Sequence, residues 1–295
     1  MPITVTCACG KTLRAPDEAA GRRAKCPGCG AIVNVPSPER LGAEALARPS
    51  IAPPTERPTR PFIQEARRAF LYAIQIKAAV LLVILAIAYT AILSFVGGSI
   101  LTLPLAILVI GYGAACYLNV VQASAGGDPN FPDPPDMSDL LDDVVKPFFL
   151  ILAATLFAAL PEIVYAICVA MKKVEPNRHL ASALNVWTAF YFPMAVLSVA
   201  VWRSVAGVSP HIVIPAILRI PGQHTMCAAM VWLTWNGYAL ILEGARSLQL
   251  DGVFARFSVA LLALALFIYF GWVTARMIGI THWIYRKELG WFRSM

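Results

Sequence analysis

Between two long apolar runs the chain carries a polar insert, Gly126-Gly127-Asp128-Pro129-Asn130-Phe131-Pro132-Asp133-Pro134-Pro135-Asp136-Met137-Ser138-Asp139-Leu140-Leu141-Asp142-Asp143. One aspartate at the centre of a hydrocarbon layer costs about 3 kcal/mol. The six in this insert therefore exclude it from such a layer and pin both flanks to the layer's surface. A composition of 58% hydrophobic against 14% charged residues is too apolar for an ordinary soluble domain and reads as an integral membrane protein.

Hydropathy divides the rest into six spans of roughly 20 residues, the length needed to cross about 30 Å of hydrocarbon. They are Ala78 to Val96, Leu101 to Val121, Val145 to Met171, Val186 to Ala206, Thr225 to Ala245 and Phe254 to Ile280. Gly97-Gly98-Ser99 turns the first span into the second. The predicted fold is an all-α polytopic membrane bundle of about six transmembrane helices, preceded by a small N-terminal β zinc ribbon. Its domains are the ribbon (1–36), a proline-rich tether (37–66) and a six-span membrane domain (67–295). The last helix is expected to leave the bilayer through His282-Trp283-Ile284-Tyr285-Arg286-Lys287, an aromatic and basic interface signature. Ser209 to Pro221 is apolar, bounded by prolines and too short to span, which fits an interfacial or re-entrant segment. The net charge of +7 is first a topology signal. Arg57, Arg60, Arg67, Arg68, Lys77, Lys146, Arg203, Arg219, Arg276, Arg286, Lys287 and Arg293 fall on the side assigned inside, against Lys172, Lys173, Arg178, Arg246 and Arg256 outside. This predicts N- and C-termini, and the insert between them, on the cytoplasmic side.

The sharpest chemical motif is Cys7-Ala8-Cys9-Gly10 followed by Cys26-Pro27-Gly28-Cys29-Gly30. Two cysteine knuckles separated by a strand-forming segment supply four thiolates for a closed, structural zinc site. Gly10 and Gly30 provide the positive φ that a tight knuckle needs, and Ile3-Thr4-Val5-Thr6 and Ala31-Ile32-Val33-Asn34-Val35 have the β-branched content of strands. Cys7, Cys9, Cys26 and Cys29 are the predicted ligands. Reduced thiols imply a cytosolic N-terminus, and Met1 to Gly30 lacks the apolar core of a signal peptide. Lys11, Arg14, Arg22, Arg23 and Lys25 are read as offsetting the tetrathiolate charge. Without aromatic residues for base stacking, nucleic acid is not the expected partner. Cys116, Cys168 and Cys227 are read as small buried apolar residues.

The ribbon resembles bacterial zinc-ribbon heads of the form Cys-x-Cys-Gly-Lys…Cys-Pro-x-Cys-Gly, which implies a zinc-binding module and no activity. Asn119, Gly127-Asp128, Pro132, Tyr191-Phe192-Pro193, Arg219-Ile220-Pro221-Gly222 and Tyr285-Arg286…Leu289-Gly290-Trp291-Phe292 resemble a multi-pass bacterial membrane family of unknown function. Its members share a glycine and aspartate-proline loop between early spans. That likeness covers about residues 70 to 292, implies the bacterial inner (plasma) membrane and brings no catalytic residues.

Inside the spans Glu162, next to Pro161, is the costliest residue. An ionisable group at such depth is a functional candidate, set against a fastening role as a neutral or paired group, with Arg256 as one partner. Asn119, Asn236 and Glu243 are read as interhelical hydrogen-bond formers. His179, His211, His224 and His282 fall in separate loops or ends, and no hydrolase, phosphate-loop or metalloprotease pattern occurs. The expected function is non-enzymatic: a membrane protein that displays a cytosolic zinc ribbon, with zinc structural and the bilayer and an unidentified protein as partners. The alternative is a transporter or channel-like bundle that uses Glu162 and Ser209 to Pro221.

Overall fold

A backbone surrounded by hydrocarbon can satisfy its polar groups only within itself. In the computed structural model each apolar run is accordingly helical. The structure describes residues 3–6, 12–15, 23–25, 27, 29, 32–34, 61–95, 103–135, 140–247 and 253–291. The chain divides into two units, Met1–Pro49 and Ser50–Met295.

In the first unit four short strands form two antiparallel pairs. β1 (Ile3–Thr6) pairs with β2 (Thr12–Ala15), with Thr6 opposite Thr12. β3 (Arg23–Lys25) pairs with β4 (Ile32–Asn34), with Lys25 opposite Ile32. The predicted knuckle glycines lie outside the described residues.

The second unit contains α1 (Phe62–Tyr72), α2 (Ile76–Phe95), α3 (Leu103–Ala125), α4 (Lys146–Ala170), α5 (Arg178–Trp202), α6 (Pro210–Arg219), α7 (Pro221–Ser247) and α8 (Val253–Leu289). Among the described residues five helices are long and apolar enough to cross a membrane. The pair Phe62–Tyr72 and Ile76–Ile92, bent by 60°, makes a sixth if it counts as one span. The Gly97-Gly98-Ser99 turn lies outside the described residues.

Hydropathy located the helices better than their ends. α1 is absent from the hydropathy reading, because polar and charged residues interrupt its apolar ones: Phe62, Ala66, Ala69 and Tyr72 are buried, while Arg67 and Arg68 are exposed together with Ile63, Phe70 and Leu71. It begins ahead of the boundary read at residue 67. α5 starts at Arg178 rather than Val186, since the Asn177 side chain accepts from the N–H groups of His179 (2.9 Å) and Leu180 (3.2 Å) and caps the helix there. The last residues of the insert are helical, with Leu141–Val145 wound as a π turn that runs into α4. One turn on, Lys146 pairs with Asp142 at 3.4 Å.

Two stretches form the centre of the bundle. Every residue from Tyr191 to Val201 in α5 is buried, as is every residue from Trp272 to His282 in α8. A helix buried all round is apolar all round, so the charged and polar groups on these stretches locate the chemistry. Cys116 and Cys227 are buried among apolar neighbours, as the sequence suggests, and Cys168 is half-buried.

Candidate functional site

The polar insert begins as the C-terminal cap of α3. Gly127, at φ +85°, donates its N–H to Ser124 O (3.1 Å), and Asp128 donates to Ala123 O (3.0 Å). This reciprocal pair closes the helix through a left-handed residue. A side chain at Gly127 would also run into Trp283 of α8, whose Nε1 lies 2.5 Å from where a Cβ would stand. The Asp128 carboxylate then accepts from Asn130 N (2.9 Å), tightening the next turn.

Three side chains from other elements grip the turn. Arg276, 6% exposed at the centre of α8, donates through Nη1 to the Asp128 carbonyl and to Ser124 Oγ (3.2 Å), and its guanidinium lies 4.5 Å over the Tyr72 ring. Gln75, in the elbow between α1 and α2, donates to Pro129 O (3.1 Å) and accepts from Phe131 N (2.8 Å), as a neighbouring strand would. Lys77 Nζ lies 2.5 Å from Asp133 Oδ1. Phe131 is thereby buried with its ring 5.5 Å from that of Tyr72 and 5.0 Å from that of Trp272. The part of the insert from Asp128 to Asp133 is thus held by the helices beside it.

Arg276 was expected as an end-of-span charge, and His282 within an interface signature. Both are buried instead. His282 Nδ1 lies 3.4 Å from Ala125 O, and the α8 turn around it packs on the end of α3. His224, expected in a loop or at a helix end, stands in the first turn of α7 with Nε2 2.7 Å from Phe190 O. Among the described residues no group of three or more His, Cys, Asp or Glu side chains comes together.

Glu162 Oε2 lies 2.8 Å from Thr188 Oγ1, which is also 3.1 Å from Leu184 O. One hydroxyl proton of α5 therefore faces two acceptors, and Thr188 is a side chain that meets Glu162. Asn236 bonds Asn185 across α7 and α5 at 3.2 Å, as expected of an interhelical polar residue. Within Ser209 to Pro221, Pro210–Arg219 form α6, ten residues or about 15 Å long and so half a bilayer core. Arg219 at its end donates to Leu289 O, and Gln223 donates to Tyr285 Oη (2.9 Å), tying this connection to the end of α8.

A cavity of about 410 Å³ lies between the helices, lined by Tyr89, Tyr117, Phe192, Trp235, Phe267 and Trp272 among others. The hydroxyls on its wall already have partners: Thr155 bonds Ile151 O, Thr234 bonds Met230 O, and Tyr117 pairs with Thr274. Neither Glu162 nor α6 contributes to that wall.

In the first unit only Cys29 of the four predicted zinc ligands is described, in a turn and exposed; Cys7, Cys9 and Cys26 lie outside the described residues. Residues 7–11 connect β1 to β2 and residues 26–31 connect β3 to β4. Each cysteine pair therefore falls in the connection of a hairpin.

Sequence reasoning missed Arg276, Gln75 and Thr188. Arg276 carried a signal, since a charge inside an apolar run is the criterion that singled out Glu162. Gln75 and Thr188 carried none, because only the fold brings them to their partners. No protein-family model, curated protein or solved structure matches this chain.

Proposed function

We propose that this is a multi-pass membrane protein that displays a zinc-bound ribbon on the cytoplasmic side of a bacterial plasma membrane for contact with a protein partner, without enzymatic activity. The observation that carries the reading is the strand register. Thr6 opposite Thr12 and Lys25 opposite Ile32 put the two cysteine pairs in the connections of two successive hairpins. Two such connections suit four thiolates, and Cys7, Cys9, Cys26 and Cys29 would hold the ion. Zinc supplies a cross-link between hairpins too small to bury a core of their own, so its binding energy is folding energy.

The membrane unit suits a support. Of its buried charged side chains Arg276 grips a backbone turn, and the half-buried Glu162 meets a hydroxyl of the next helix. The transporter alternative needs a path past Glu162 and Ser209 to Pro221, and the central cavity is lined by neither.

Elemental analysis of the purified full-length chain should find one zinc per chain. Cys26→Ser and Cys29→Ser should lose it while the protein still inserts into membranes. Crosslinking in native membranes, with and without residues 1–36, should then reveal protein partners that depend on the ribbon. Disulfides among these cysteines with no zinc would sink the metal half of the reading, and identical partner sets would sink the other half.

A further inference from the structure

A groove of about 650 Å³ opens beside α2 and α3 and is closed at one end by the insert. α2 lines it from Ile76 to Ala88, and Leu108, Val109 and Tyr112 of α3 form the opposite wall. Twelve helical steps make it about 18 Å long, close to one leaflet's half of a hydrocarbon layer about 30 Å thick. Ile76, Val80 and Ile84 along it are 84%, 56% and 56% exposed, an apolar face turned toward the bilayer.

The closed end is charged. Phe131, Pro132 and Pro134 form its wall, and Lys77 and Asp133 stand at the mouth with side chains 62% and 81% exposed. Gln75 holds the backbone of Pro129 and Phe131, so the position of Asp133 is set by the fold. So open an ion pair adds little to folding. One cation and one anion, side by side where a leaflet-length apolar groove meets the surface, match the charges of a zwitterionic lipid.

We propose that this groove binds a phosphatidylethanolamine of the leaflet on the insert side. Its phosphate pairs with Lys77, its primary ammonium donates to Asp133, and one acyl chain fills the groove toward Ala88. A phosphatidylglycerol headgroup offers Asp133 only neutral hydroxyl donors, without the charge assistance of an ammonium, and its net negative charge is repelled by the Asp133 carboxylate. A phosphatidylcholine has a cation with no N–H to donate, which forfeits the charge-assisted hydrogen bond.

The test uses the full-length chain in nanodiscs of equal parts phosphatidylethanolamine, phosphatidylglycerol and phosphatidylcholine with identical acyl chains. Retained lipids are counted by native mass spectrometry. Phosphatidylethanolamine should be retained about fivefold over either competitor, the ratio that about 1 kcal/mol of matched charge provides. Asp133→Asn should bring it to parity with phosphatidylcholine and raise phosphatidylglycerol. Lys77→Gln should lower all three, and Ala88→Phe, which fills the far end, should lower them together without reordering them. The two mouth residues are exposed, so their variants leave the core untouched. Equal retention of the three lipids by the unaltered chain, or a preference that survives Asp133→Asn, would overturn the proposal.

Discussion

Arg276 is a guanidinium at the most buried level of α8, where it bonds Ser124 Oγ and the Asp128 carbonyl, lies over the face of Tyr72 and has the buried Glu65 carboxylate acting on it electrostatically. Bonds from a charged donor contribute about 1.5–3 kcal/mol each when buried. Arg276→Gln should therefore lower stability by about 2–4 kcal/mol, the range expected when a buried charged group loses its contacts. Arg276→Lys should recover only part, because one ammonium cannot grip two acceptors and stack on a ring. Thermal unfolding in detergent measures the loss, and limited proteolysis within 126–135 should speed up in parallel. Unchanged melting and cleavage would show that the insert is held by something else. Glu162 makes the opposite case at this scale. The sequence marks it as costly, and the fold meets it with the hydroxyl of Thr188, a pairing that no local pattern contains.

At the scale of elements the decisive contact is α3 against α8. Gly279 lets the two backbones close, for a Cβ there would stand 2.5 Å from Val121 O and 3.0 Å from Ala125 N and would strike Ser124. Small residues at such crossings allow helices to pack where the hydrophobic effect between them is absent. Gly279→Ala must push α3 away from Arg276 and His282, at about 1–3 kcal/mol for an overpacked contact. Gly237→Ala in α7, with nothing within 4 Å of its Cβ position, is the control. It should be neutral or raise stability by up to about 1 kcal/mol through helix propensity. If both variants melt alike, the close crossing is not limiting. The elbow between α1 and α2 belongs to the same scale. The burial of Phe62, Ala66, Ala69 and Tyr72 follows a helical period that could have been read from sequence, although only the fold shows that the elbow presents Gln75 to the insert.

At the scale of the molecule, α8 gathers two connections of the membrane unit to itself. Arg276 joins the insert to α8, while Arg219 and Gln223 join the α6 connection to the end of α8. The turn after α4 makes its own contacts, with Tyr165 Oη accepting from Asn177 N at 2.6 Å. The proposed topology puts the first group in the cytoplasm and Lys173 and Asp251 outside. Single cysteines at positions 173, 251 and 133, in a chain lacking its native cysteines, test this with an impermeant thiol reagent on intact cells. Positions 173 and 251 should label and 133 should not; labelling at 133 from outside reverses the orientation.

By itself the sequence determined which stretches become the long apolar helices, where the polar insert interrupts them and where the cysteine pairs stand. Those properties follow from local hydropathy, helix length and spacing, and each residue carries its share of the signal wherever the chain later goes. Only the tertiary structure decided that the insert is gripped, that Arg276 and His282 are interior, that Glu162 meets Thr188 and that Lys77 and Asp133 stand together at a groove. The pairs Lys77 with Asp133 and Ser124 with Arg276 join residues 56 and 152 positions apart. The energy of such contacts depends on distances of a few ångströms and on exclusion from water, and neither is a property of a residue until helix packing has brought it to its neighbour.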